Sequence, residues 1–119
     1  MPCSEQMESV SEHLYHKEAD ETLDVLQERL DEYIESHDVP EGDVEYGMGV
    51  LTLRLGDKGT YVYNKQAPNR QIWSSSPISG PVRYDLVRGK WIYLRDGHEM
   101  IQRLSSELKD MFGNGLDVQ

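Results

Sequence analysis

Five carboxylates, Asp20, Asp24, Glu28, Asp31 and Glu35, recur at intervals of three and four residues. On a helix turning 100° per residue they fall within roughly an 80° arc, and Glu21 and Glu32 widen it. Links 20–24, 24–28, 28–32 and 31–35 each set like charges one turn apart, which costs about 0.2–0.5 kcal/mol per pair. Between residues 12 and 45 only Lys17 and Arg29 offset them. A solvated, solubilising face is the ordinary role of such a helix. Here the repeated links without lysines favour an arrangement that holds cations. Carboxylate oxygens without thiolates suit hard cations. No EF-hand loop and no Cys/His spacing for zinc occurs, so a bound metal is expected to sit on an open, weak site. His16, one turn before Asp20, is a candidate first ligand. Asp43 and Glu45 extend the ridge if their strand lies beside the helix. His13, His37 and His98 are expected on the surface without a role.

A second group of side chains cannot titrate. In "NKQAPNRQIWSSSPISGPVRYD", Asn64 and Gln66 share one face of a strand, and Asn69, Gln71 and Trp73 share a face of the next. With a turn at Ala67 and Pro68 these faces adjoin, giving amides around one indole with Lys65, Arg70 and Arg83 near the rim. Alternation sends Ile72 to a core and Trp73 to the other side. Tryptophan, asparagine and arginine in that setting fit a protein-binding hot spot better than acid–base catalysis. The three serines Ser74–Ser76 lack a nucleophile elbow. No glycine pattern matches a phosphate loop.

The elements that must hold these groups follow from periodicity. Ala19, Leu23, Leu26, Leu30, Tyr33 and Ile34 mark one face of a helix from Ser11 to about Ser36, with Ser9 and Glu12 as a capping box and Pro40 beyond its end. Short alternating runs follow: "DVEY", "VLTLRL", "TYVYNK", "RQIWSS", "VRYDLV" and "KWIYLR", separated by glycine and proline turns, an antiparallel meander. Trp91 lies in an apolar run and is expected in the core. Asp96 and Glu99 open a second helix whose stripe is Ile101, Leu104, Leu108 and Met111 or Phe112, with Gly113 as its cap. Helix, strands, helix predicts an α+β two-layer sandwich with both helices on one face of the sheet.

Bulk properties narrow the function classes. The 119 residues fit a disordered N-terminal segment, 1–10, and a single domain, 11–119. Net charge is −10, but residues 1–45 carry 15 acids against two bases and the remainder seven against ten. That asymmetry disfavours nucleic-acid binding and suits a cationic partner. One cysteine, Cys3, cannot form an intrachain disulfide, which suits a reducing compartment. No apolar run approaches the roughly 20 residues of a membrane span. The N-terminus reads as neither signal nor transit peptide, so an imported protein would have lost its presequence before this start.

The stretch "GTYVYNKQAPNRQIWSSSPISGPVRYD" closely resembles the central sheet of frataxins, and "YHKEADETLDVL", "GVLTLRLG" and "KWIYLRDG" extend the likeness over nearly all of residues 15–112. The first helix is most similar to fungal members. The resemblance implies a mitochondrial matrix protein of iron–sulfur cluster assembly. Such a protein binds a complex of cysteine desulfurase, its small accessory subunit, acyl carrier protein and the cluster scaffold, and promotes sulfur transfer or iron delivery. It also implies weak iron binding on a ridge of Asp20, Glu21, Asp24, Glu28, Asp31, Glu32, Glu35, Asp43 and Glu45. The partner-binding patch would be Asn64, Lys65, Gln66, Asn69, Gln71, Trp73 and Arg83, with Arg70 at its edge. A monomer or an iron-dependent oligomer is expected. The alternative is a ferroxidase oxidising Fe²⁺ on the ridge, although the inward-facing Glu-x-x-His motifs of a buried di-iron centre are missing. Two positions depart from the family pattern: Ser74 stands where many members have leucine after the tryptophan, and the tail "GNGLDVQ" is short where longer tails cover the groove between the helices.

Overall fold

The computed structural model describes residues 11–116. Helix α1 spans Glu12–Ser36 and α2 spans Met100–Phe112; between them lie β1 (Gly42–Gly47), β2 (Val50–Leu55), β3 (Thr60–Gln66), β4 (Gln71–Ser76), β5 (Gly80–Val87) and β6 (Lys90–Ile92). The strands form one antiparallel sheet in sequence order. The expected α+β two-layer sandwich is borne out, with both helices packed on one face of this sheet. The segment 1–10, expected to be disordered, lies outside the described residues.

Local chemistry sets the element ends. Ser11, not Ser9, caps α1: its Oγ accepts from Leu14 N at 2.9 Å, and Ser9 lies outside the described residues. Helix α2 starts later than the Asp96 signal suggested. Strand pairing runs on through a bridge between Ile92 and Glu99, so the chain cannot turn helical before Glu99, whose carboxylate accepts from Gln102 N. Asp96 instead closes the intervening turn by accepting from His98 N, and β6 ends at Ile92 rather than running to Arg95. Two hairpins close on residue pairs with positive φ, Met48–Gly49 and Arg88–Gly89, the dihedral signature of a type I′ turn, which matches strand twist.

The core lies between the layers. Tyr15, Ala19, Leu23, Leu26, Leu30 and Tyr33 of α1 and Met100, Leu104 and Leu108 of α2 meet Leu51, Leu53, Leu55, Tyr61, Tyr63, Ile72, Tyr84 and Trp91 of the sheet. Polar tips of buried aromatics find partners, as burial requires. Trp91 Nε1 donates to Thr22 Oγ1, Tyr15 Oη to the Gln71 carbonyl and Tyr33 Oη to the Asn114 carbonyl. Ser74 turns to the helix side and donates to the Val82 carbonyl at 3.3 Å, so the polar substitution is accommodated. A groove of about 660 Å³ runs between the helices beside Thr22, Val25, Trp91 and Gln102, with Leu116 at its edge.

Candidate functional site

Register aligns the open face of the sheet across strands: Val50, Asn64, Trp73 and Arg83 form one row, and Gln66, Gln71, Asp85 and Ile92 the next. Ile72 is fully buried while Trp73, its neighbour, is only half-buried on the opposite side. Two contacts hold the indole. Its Nε1 donates to Gln71 Oε1 at 2.7 Å, and Gln71 Nε2 donates in turn to the Asp85 carboxylate at 3.2 and 3.3 Å. The Arg83 guanidinium carbon sits 4.3 Å from the ring centroid, a cation–π contact. From beneath, Tyr15 bonds the Gln71 backbone, so α1 steadies the strand that carries the patch.

Asp85 was not foreseen as part of this relay. The signal was there: Arg83 and Asp85 alternate with core residues in "VRYDLV", so both must face the open side. The side-chain amides of Asn64, Gln66 and Asn69 have no hydrogen-bond partner among the described residues, which leaves them available to an incoming surface. Two placements differ from expectation. Asn69 and the exposed Arg70 lie in and just after a 3₁₀ turn, Ala67–Asn69, and not on a strand face; Arg70 caps it with φ 52°. Lys65 pairs in register with Ile72 and therefore points to the helix-bearing side, away from Trp73. Its ammonium meets Asp20 Oδ1 at 2.6 Å.

The acidic ridge is formed in part as expected. Asp20, Glu21, Asp24, Glu28, Asp31, Glu32 and Glu35 are all exposed on α1, opposite its buried stripe. Arg29 bridges to Glu32 at 3.4 Å. Strand β1 packs beside α1, but Asp43 and Glu45 alternate onto the other face of the sheet. There Arg54 Nη1 bonds both, at 3.2 and 2.8 Å, so they form a separate ion trio. His16, half-buried and edge-on to Tyr15, has no ion pair with Asp20 among the described residues; the lysine has claimed that carboxylate. The phenol of Tyr46 faces Asp20 and Asp24, and burial first, then these two charges, push its pKa up. Among the described residues no three acidic, imidazole or thiol groups converge to hold an ion. The donor set still suits a hard cation: pairs of exposed oxygens would bind it with water filling the remaining positions.

Two histidines expected to be idle are engaged. His98 links Tyr84 Oη (2.7 Å) to Asp96 Oδ1 (2.7 Å), with Arg103 alongside. The peptide N–H of His98 leads the contacts that hold the Asp96 carboxyl below its usual range. His37 stacks on Tyr33 with centroids 4.0 Å apart. Both are brought into place by turns whose geometry single-residue reasoning does not supply.

Two helices on one face of a six-stranded meander, with an amide-and-indole patch on the other, define a two-layer α+β domain with an open sheet face and an acidic flank. A family model described as a frataxin-like domain matches residues 8–114, and the chain belongs to the frataxin family. It is similar to the mitochondrial frataxin homolog of Saccharomyces cerevisiae (48% identity over 80% of this chain and 55% of that protein) and to mitochondrial frataxin of Arabidopsis thaliana (42%, 98% and 64%). The chain thus spans about half to two-thirds of the length of these curated relatives. Caenorhabditis elegans frataxin is 45% identical over 87% of this chain and 79% of its own. Among solved structures, a trimeric yeast frataxin complexed with ferrous iron superposes with a TM-score of 0.74 at 45% identity, covering 82% of this chain and 87% of that one. The expected mitochondrial location agrees with the names of these relatives.

Proposed function

We propose that this protein is an iron-binding accessory factor of mitochondrial iron–sulfur cluster assembly that docks on a cysteine desulfurase–scaffold complex through two surfaces. The acidic face of α1 meets a basic surface of the complex. The patch of Asn64, Gln66, Gln71, Trp73 and Arg83 engages the scaffold next to the groups that exchange sulfur. Asn69 and Arg70 contribute from the adjoining turn. Ferrous iron is cargo on the carboxylates of α1, and the ferrous complex of the yeast relative supports that reading. The patch supplies no acid, base or nucleophile. Acceleration therefore comes from holding mobile partner segments in a reactive arrangement, for which fixed geometry is what matters.

One observation carries the reading: Trp73 is a large aromatic held rigid on the open side of the sheet, beside a fully buried Ile72. The test is Trp73→Ala in a reconstituted assembly assay. The variant loses one neutral hydrogen bond of about 0.5–1.5 kcal/mol, one exposed cation–π contact of about 0.5–1 kcal/mol and the packing of a half-buried indole outside the core, so it is destabilised but stays folded. A hot-spot aromatic is worth at least about 2 kcal/mol of binding, so affinity for the complex falls roughly 30-fold or more and stimulation of sulfur transfer is lost. A folded variant that stimulates as the native chain does would refute the proposal.

A further inference from the structure

Lys65 lies between Asn64 and Gln66 on β3, yet its side chain runs to the opposite face. Its stem passes over Gly49, where an added Cβ would stand 3.6 Å from Lys65 Cβ, and its backbone N–H is fixed by the Gly49 carbonyl at 2.8 Å. The side chain is 14% exposed, whereas its partner Asp20 is 53% exposed. The covered stem therefore delivers the ammonium to the half-exposed carboxylate and holds it there. Asp20 is its one salt-bridge partner among the described residues. Asp24, one turn on, has no salt-bridge partner among the described residues.

Resting on the reading that α1 carries a cation, we propose that Lys65 is an internal cation that occupies the first position of the acidic face, excludes Asp20 from metal binding and sets where on the helix a divalent ion binds. A metal ion arriving at Asp20 must displace the ammonium, which then gives up its one salt-bridge partner among the described residues. The same ion meets no such competitor at Asp24, Glu28 and Asp31. Lys65 thus acts as a selector of binding position through charge competition, and belongs to the ridge rather than to the amide patch.

The experiment titrates the chain with Mn²⁺ alone at fixed ionic strength, reading free ion by electron paramagnetic resonance and the bound position by broadening of backbone amide resonances. For the native chain, broadening centres on residues 24–31 and spares residues 19–21. Asp20→Asn leaves the ammonium unpaired and so lowers affinity about two- to tenfold without moving the broadening, while Asp24→Asn removes a ligand as well as a charge and weakens binding more. Lys65→Met raises affinity about two- to tenfold, the range expected for removing one partly screened charge acting on a divalent ion, and extends broadening to residues 19–21. Lys65→Arg, which keeps the charge, behaves as the native chain. In the Lys65→Met background, Asp20→Asn now abolishes the gain. Equal losses from Asp20→Asn and Asp24→Asn in the native chain, or no gain in Lys65→Met, would overturn the competition alone. Absence of Mn²⁺ binding in every variant would overturn the cation reading of the ridge and the competition with it.

Discussion

Glu107 is the buried charged residue among those described, 6% exposed, and it locks α2 to the sheet. Its Oε1 accepts from Tyr61 Oη at 2.6 Å and from Ser76 Oγ at 2.8 Å. Ser76 Oγ in turn accepts the N–H groups of Ile78 and Ser79, so a single carboxylate organises the β4–β5 turn. Hydrogen bonds to a charged group contribute about 1.5–3 kcal/mol each, against about 0.5–1.5 for neutral ones. Glu107→Ala strands both hydroxyls and is expected to cost about 3–5 kcal/mol. Glu107→Gln keeps an acceptor without the charge and is expected to cost about 1–3 kcal/mol. For a domain near this size each kcal/mol lowers Tm by about 4 °C, so the alanine variant melts roughly 12–20 °C earlier. Urea unfolding of Glu107→Gln, Tyr61→Phe and the double variant supplies the check. The two should be coupled by about 1 kcal/mol or more. A Glu107→Ala cost below about 1 kcal/mol, or additive single losses, would show that the buried charge does not hold these layers together.

Two further predictions concern the same scaffold. Burial pushes the Tyr15 and Tyr84 phenols up to about 12 and raises those of Tyr61 and Tyr63 further, against about 10 in an unfolded chain. The folded state therefore keeps protons that the unfolded state releases. Its advantage is full below about pH 10 and disappears as pH climbs from about 10 through 12. Absorbance at 295 nm should rise together with loss of near-ultraviolet dichroism in that window; phenols titrating near 10 in an intact fold would contradict this. Met48 is fully exposed at φ 53° in the β1–β2 turn, a conformation that a long side chain disfavours. Met48→Gly or Met48→Asn should stabilise by about 0.5–1 kcal/mol in urea unfolding, and a loss of stability would refute the turn assignment.

Periodicity alone placed the two helices, the order of six strands and the division of α1 into an apolar stripe and an acidic face. Spacings of 2 and 3.6 residues are set by the backbone and so can be read from the chain. The same rule put Ile72 inside and Trp73 outside, and it should have put Lys65 inside and Asp85 outside. Those two were misplaced or missed because charged side chains are usually assigned to solvent whatever their parity. Element ends were less legible. A bridge at Glu99 delayed α2, and pairing of that kind depends on residues distant in sequence.

Tertiary structure alone decided which charges meet. Lys65 and Asp20 are 45 residues apart and Tyr61 and Glu107 are 46 apart, and no local spacing connects them. Asp43 and Glu45 are near α1 in space, yet sheet parity turns them away to Arg54. An ion pair depends on a few ångströms of separation between side chains that the fold brings together from different layers, whereas a stripe depends only on the angle between successive residues of one element. The sequence therefore determined which faces exist, and only the packed layers settled which groups on them remain free to bind.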